Sequence, residues 1–312
     1  MKNSKNIKIV FMGTPEFAVP VLESLYDHFD VICAVTKADK PKGRGGKMSA
    51  CEVKAMALSL GIPVLSPEKI RTPEFYEELS DFKADYFVTC AYGKILPAEI
   101  LAMPKKGTVN VHASLLPKYR GANPVQRAIM NGDNETGITT MMTDIGMDTG
   151  DMLLFEKVSI GPDMTFLELH DVLKVIGAEL IVKTIEGLEA GTVSRIIQND
   201  AEATFAPMLE RDEERIDWNN DAYQIRNLIR GLNDKPGAYS TLNGIKFKFF
   251  KAEVAEDGSF FEPGTVVNVS KKYFTVKCGK DALNIYEIQP ENSKKMDTAA
   301  YLNGHKIEGR FA

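Results

Sequence analysis

The constraint that bears hardest on the fold is an alternation. Residues 7–12 are apolar apart from Lys8, and further strand candidates lie at 31–36, 86–90 and the alternating segment 108–112, with helical patterns such as 52–60 and 74–79 between them. A strand without a polar face has to be covered on both sides, which is the situation of a strand inside a parallel sheet. Strands that alternate with helices need crossover connections. The first part of the chain is therefore expected to be α/β, a Rossmann-like, mostly parallel sheet with helices on both faces. A long amphipathic helix over 166–188 would close it.

The turn after the first strand reads Gly13-Thr14-Pro15-Glu16. Thr14 is suited to cap a helix and Pro15 to begin one. No G-x-G-x-x-G follows, and Glu16 brings a carboxylate to the helix start that a dinucleotide phosphate would occupy. A nicotinamide-dependent dehydrogenase is disfavoured on both counts.

Beyond residue 206 the pattern changes. Residues 206–220 contain Pro207 and a charged run from Glu210 to Arg215 and read as a linker, with Trp218, the single tryptophan, expected to pack between domains. A helix over 222–232 precedes short strand patterns at 238–242 and 245–254, which bracket Asn243-Gly244, a strong hairpin signal. Further patterns at 264–269, 273–278 and 282–289 continue to a small C-terminal β-barrel of OB-like type. Lys246, Lys248, Lys251, Lys271, Lys272, Lys294 and Lys295 would give it a basic flank. The expected domains are 1–206, a linker at 207–220, and 221–312.

Several function classes fall away on composition. No run of about 18 uncharged apolar residues exists to span a bilayer, and the polar residues before the first strand do not read as a secretory signal. Four scattered cysteines without a C-x-x-C pair fit a reduced, cytoplasmic chain, and four scattered histidines offer no metal-ligand pair. No metal is expected. The net charge of -5 argues against nonspecific coating of nucleic acid. One local exception stands out. Residues 37–47 carry Lys37, Lys40, Lys42, Arg44 and Lys47 with three glycines and a proline, and read as a mobile surface loop, either a solvated insertion or one fit to engage a phosphate backbone.

Chemistry concentrates in T-V-N-V-H-A-S-L-L-P-K-Y-R-G-A-N-P, from Thr108 to Pro124. If 108–112 is a strand, Asn110 and His112 project from one face with Val109 and Val111 behind. An amide beside an imidazole suits a carbonyl reaction, the amide donating to an oxyanion and the imidazole handling a proton. The plainer possibility is a buried strand with two satisfied polar residues. A carboxylate to set the state of His112 is available in D-I-G-M-D-T-G-D, where Asp144, Asp148 and Asp151 are rivals on spacing.

Together these two runs resemble the signature of the 10-formyltetrahydrofolate-dependent formyltransferases. G-T-P-E-F-A near the start, the K-P-K-G-R-G-G-K loop, R-I-D-W at the linker and L-N-I-Y-E-I-Q-P-E-N near the end extend the likeness along essentially the whole chain. The resemblance implies catalytic roles for Asn110, His112 and, among the three acids, Asp148. It implies folate contacts from Ser114, Leu115, Leu116 and Pro117, with Tyr92 and Leu96 of the turn 91–97 lining the pterin pocket. The early loop and the barrel point, within that family, to transfer of formyl from 10-formyltetrahydrofolate to the α-amine of methionyl initiator tRNA. Arg44, with Lys40, Lys42 and Lys47, would meet the tRNA. No membrane is implied, and the expected assembly is a monomer. A small amine as acceptor is the competing expectation; it would need neither the basic loop nor a second domain. A non-catalytic RNA-binding protein would leave Asn110, His112 and S-L-L-P without a purpose.

Overall fold

The computed structural model of the chain describes residues 6–42 and 47–312. In chain order, the first elements are strand β1 (Lys8–Gly13), helix α1 (Val19–His28), β2 (Asp30–Val35), β3 (Lys40–Lys42), β4 (Lys47–Ser49), α2 (Glu52–Ser59), β5 (Val64–Leu65), α3 (Pro73–Ser80), β6 (Tyr86–Cys90), α4 (Ala98–Leu101) and β7 (Thr108–His112). There follow β8 (Arg120–Gly121), α5 (Pro124–Met130), β9 (Glu135–Met142), β10 (Met152–Ser159), α6 (Phe166–Ala190) and β11 (Phe205–Ala206). The remainder is α7 (Ala222–Gly231), β12 (Ala238–Leu242), β13 (Ile245–Ala255), β14 (Val266–Val269), β15 (Phe274–Lys277), β16 (Ala282–Pro290), β17 (Met296–Asp297) and α8 (Thr298–Leu302).

The main sheet has the order β10-β9-β7-β6-β1-β2-β5. From β5 to β7 every neighbouring pair is parallel, and β9 runs antiparallel to β7. The apolar runs are buried as their composition demands: all five residues of β6 and the last five of β1 are buried. Val10, Met12, Cys33, Val35 and Phe87 pack with Phe75 and Leu79 of α3 and Ile100 of α4. On the other face, Gly177 of α6 lies against Val111 and Ile138, close enough that an added Cβ would sit 3.1 Å from Val111. Helices thus cover both faces. The strand order reverses at β1 and β6, the topological switch point whose carboxyl ends open α/β sheets use for sites.

Two local expectations are corrected here. Thr14 does not cap a helix. Its hydroxyl donates to Tyr92 O at 3.3 Å, across the switch point, while Pro15 precedes a single 3-10 turn, Glu16–Ala18, and α1 begins only at Val19 with Pro20 in its first turn. The basic loop is not irregular throughout, since β3 and β4 pair antiparallel with Pro41 opposite Met48. A two-stranded ribbon consists only of edges, where a proline is tolerated. Lys54 of α2 holds its base through Asp39, with both carboxylate oxygens at 2.9 Å.

The chain divides into two compact units. One comprises the residues to Pro124, Thr136–Ser159 and His170–Pro207; the other comprises Val125–Glu135, Ile160–Leu169 and Met208–Ala312. The second unit is built on a sheet of order β12-β13-β16-β15-β14, with β17 on β16. Asn243 and Gly244 join β12 to β13 with φ values of 52° and 79°, the left-handed pair a type I′ hairpin needs. Register shifts at Phe249 to Ala252 bend the long β13. Closure comes from an unexpected piece of chain: Phe311 bridges Leu242 of β12, while its neighbour Arg310 bridges Thr265 beside β14. Phe311 then sits in the core among Phe247, Phe249, Phe274 and Trp218. Trp218 therefore belongs to the barrel core and not to a junction between domains. Its indole N–H donates to Ser240 at 3.0 Å, which lets the polar end of the ring be buried without loss.

No helix among the described residues is long and apolar enough to cross a membrane.

Candidate active site

Strand β7 sets the geometry. Its pairing with β6 puts Thr89 opposite Asn110, and alternation places Thr89, Asn110 and His112 on one face. Val109 and Val111 are buried behind them. The Thr89 hydroxyl donates to Asn110 Oδ1 at 2.8 Å. That bond fixes which end of the amide is which. With the oxygen engaged by Thr89, the Nδ2 donors face away from it, as an oxyanion donor requires.

His112 is buried, with a hydrogen-bond partner at one ring nitrogen and a carboxylate facing the other. Nε2 lies 2.9 Å from the Tyr119 carbonyl. A carbonyl can only accept, so Nε2 carries a proton and the exchangeable position is Nδ1. Nδ1 faces Asp148 Oδ2 at 3.6 Å, an ion-pair contact and too long for a hydrogen bond. The same oxygen accepts from Gly121 N–H at 2.8 Å. Of the three acids that spacing left open, Asp148 is the one brought to His112. Asp144 instead closes its own turn, accepting from Gly146 N and the Thr149 hydroxyl at 3.0 and 2.7 Å.

Asp148 arrives from the far end of the strand. Thr143 N donates to Thr108 O, so β9 ends beside the start of β7, and the loop 143–151 must fold back across the face carrying Asn110 and His112. Side chains secure it there. Gln198, buried, donates from its amide nitrogen to Asp148 O at 2.8 Å and Gly150 O at 2.7 Å. Its oxygen accepts from Arg120 Nε and an Arg120 terminal nitrogen at 3.0 and 2.8 Å. Asp148 (φ 54°) and Tyr119 (φ 60°) are both left-handed, as is Ala91 (φ 46°) at the end of β6. Such residues cost on the order of 1 kcal/mol or more each and gather where the surroundings enforce them, commonly at functional sites.

The other predicted contact residues are placed as follows. Ser114 is fully buried and donates to Lys118 O at 2.6 Å; Leu116 is also buried, and its N–H reaches the Thr139 hydroxyl. Leu115 and Pro117 are half-buried. Tyr92 and Leu96 lie in the core cluster with Ile100, and the Tyr92 hydroxyl is buried without a hydrogen-bond partner among the described residues. Arg44 lies outside the described residues, and of Lys40, Lys42 and Lys47 only the backbone is described. Lys37, which the sequence offered only as one charge in a loop, rests over Gly93, where an added Cβ would lie 2.3 Å from its ammonium. On the barrel, Lys246, Lys251 and Lys295 lie over Tyr239, Tyr286 and Phe250.

Competing chemistry finds little support in the side chains. Burial pushes the Cys33, Cys90 and Cys278 thiols up to about 12, so Cys90, at the end of β6, is protonated near neutrality and no nucleophile. Cys51 caps α2. Glu16, His170 and Asp171 form the one group of potential metal ligands among the described residues. Lys174 already occupies it, 2.6 Å from Glu16 and 2.7 Å from Asp171.

Comparison with known proteins adds the family. Residues 6–185 match the formyl transferase family, and residues 208–306 match the formyl transferase C-terminal domain. The methionyl-tRNA formyltransferase of Caldanaerobacter subterraneus subsp. tengcongensis is 50% identical over 303 residues, covering 96% of this chain and 98% of that protein. The chain belongs to the methionyl-tRNA formyltransferase family. The methionyl-tRNA formyltransferase of Ruminiclostridium cellulolyticum is 47% identical over 97% of this chain and 98% of its own length. In fold, the chain is similar to the N-formyltransferase of Helicobacter canadensis solved with folinic acid and dTDP-3-aminofucose, with a TM-score of 0.67 at 20% identity, over 93% of this chain and all of that one. As a methionyl-tRNA formyltransferase family member it is a formyl-transferring enzyme, and Thr89, Arg120 and Gln198 are bonded to the candidate site residues although the sequence alone marks none of them. Arg120 stood unremarked within the K-Y-R-G run. Thr89 and Gln198 act through pairings that only the fold creates.

Proposed function

We propose that this chain transfers the formyl group of 10-formyltetrahydrofolate to the α-amine of methionyl initiator tRNA, with Asn110, His112 and Asp148 at the reacting carbon. The observation that carries the reading is the convergence of an amide with its donor end free, an imidazole with a fixed proton and a carboxylate on one sheet face. The amine attacks the formyl carbon, and the carbonyl oxygen becomes an oxyanion that Asn110 Nδ2 stabilises, by about 3 kcal/mol for a well-aimed donor. The proton lost by the amine goes to His112 Nδ1, where Asp148 balances the charge. It is returned to N10 of the folate as the C–N10 bond breaks. General acid–base help of this kind is worth roughly 10²- to 10⁴-fold.

The half-buried Leu115 and Pro117 and the turn 91–97 would meet the folate, with Ser114 and Leu116 holding the turn and Tyr92 and Leu96 backing the pterin pocket. Exposed Ile145 and Met147, in the loop that carries Asp148, add apolar surface for the same purpose. Arg44, Lys40, Lys42 and Lys47 would engage the acceptor end of the tRNA, supported by the charge of Lys37. We further assign residues 1–206 to catalysis, 207–220 to a linker and 221–312 to tRNA binding, in a cytoplasmic monomer. The test is His112→Ala: formyl transfer should fall by at least about 10²-fold while folate binding persists. Retention of near-normal transfer would remove His112 from the mechanism.

A further inference from the structure

We propose that Gln198 is a positioning residue for Asp148, the strut that holds the loop 143–151 folded back over the sheet so that its carboxylate faces His112. The inference rests on the assignment of Asp148 to catalysis and extends it to a side chain fifty residues away.

The loop is tied at its ends, by Met142 N–H to Asp151 O and Thr143 N–H to Thr108 O, and between those ends no backbone ladder holds it among the described residues. It leaves β9 at the amino-terminal end of β7 and reaches back toward His112 with Asp148 in a left-handed conformation that no glycine relieves. A backbone in that state persists only if its surroundings over-determine it. Gln198 supplies that determination by donating to two carbonyls, Asp148 O and Gly150 O, on either side of Thr149. The orientation of its amide is not free. Arg120 has only donors to offer, so it must meet the Gln198 oxygen, and the NH₂ group must face the carbonyls.

Arg120 also links the strut to the carboxylate. It immediately precedes Gly121, whose N–H holds Asp148 Oδ2. The main chain of Asp148 is therefore tied to Gln198, its side chain to Gly121, and the two ties to each other through the Arg120 guanidinium. Asp200 accepts a further bond from that guanidinium at 2.7 Å, which leaves it engaged on both sides. All the hydrogen-bonding groups of the Gln198 side chain are thus committed to this one task. Misplacement of a catalytic group by about 1 Å costs up to about 10²-fold in rate, so a strut with no contact to substrate can still govern turnover.

Gln198→Glu separates positioning from bulk. It keeps the size of the side chain and an acceptor for Arg120, but turns oxygen toward the two carbonyls. We expect kcat for formyl transfer to fall by up to about 100-fold, with KM for the folate and for the charged tRNA nearly unchanged. Gln198→Met, similar in size and without donor or charge, should behave likewise; rates are referred to the folate-binding fraction, so that a variant that folds poorly still gives a reading. The decisive arm is the double variant. If Gln198 acts through Asp148, adding Gln198→Glu to Asp148→Asn lowers kcat little beyond Asp148→Asn alone. Full additivity of the two losses, or an unchanged kcat in both single variants, overturns the proposal. The wild-type enzyme run alongside reports on the functional reading itself: absence of formyl transfer there would count against that reading and not against the strut.

Discussion

Asp148 Oδ2 stands 3.6 Å from His112 Nδ1 and at the same time accepts from Gly121 N–H at 2.8 Å. The two contacts ask different things of the carboxylate, one its charge and the other its shape. Asp148→Asn separates them, since an amide oxygen still accepts from Gly121 but offers no charge to the imidazole. The variant is expected to keep the thermal midpoint of the wild type and to lose about 10²-fold or more in single-turnover formyl transfer. Near-normal turnover would exclude Asp148 from the chemistry.

A second prediction concerns the amide. Thr89→Val preserves shape and burial but removes the hydroxyl that donates to Asn110 Oδ1. A neutral hydrogen bond is worth about 0.5–1.5 kcal/mol net, so kcat should drop by no more than about tenfold. Thr89→Ser should restore it. Steady-state kinetics on the three proteins decide the point; equal rates for Val and Thr would show that Asn110 is oriented by something else.

Acid stability offers a test inside the second unit. The Arg127 guanidinium, bidentate on Glu213 at 2.5 and 2.9 Å, leads the groups that hold its carboxyl below the usual carboxylate range, against the opposing effect of burial. A carboxyl whose folded value is depressed contributes stability that is present above its unfolded value, 4.5, and is lost as pH falls through the folded one. Glu213→Gln should therefore be less stable than wild type at neutral pH, with the gap closing as pH is lowered below the usual carboxylate range. Denaturant midpoints across pH report it, and a gap that stays constant would contradict the pairing. Glu213 is partly exposed, so solvent keeps the effect small.

The large elements were legible because burial leaves a period in the sequence. The largely apolar runs of β1 and β6 indicate a doubly covered sheet, and Asn243-Gly244 indicates the β12–β13 hairpin. Near the site, local signals weakened. Thr14 and Pro15 looked like a helix start, but the hydroxyl served a contact across the switch point. Trp218 looked like a junction residue because nothing in its neighbourhood reveals that Phe311, near the other end of the barrel sequence, closes the barrel over it. Asn110 and His112 followed from strand alternation, whereas spacing could not choose among Asp144, Asp148 and Asp151. That choice depends on a loop folding back across a sheet. Gln198, which braces the loop, is a lone glutamine in an irregular segment with no pattern to mark it. Long-range ties between a side chain and a backbone carbonyl leave no trace in periodicity.

The function proposed for this chain is the transfer of formyl from 10-formyltetrahydrofolate to the α-amine of methionyl initiator tRNA. Its most direct test supplies the purified protein with formyl-labelled donor and, in parallel, charged initiator tRNA, charged elongator methionyl-tRNA and small amines such as an amino-sugar nucleotide. Label is expected on methionyl initiator tRNA and is expected to be lost in Asp148→Asn. Label that reaches only a small amine would contradict it.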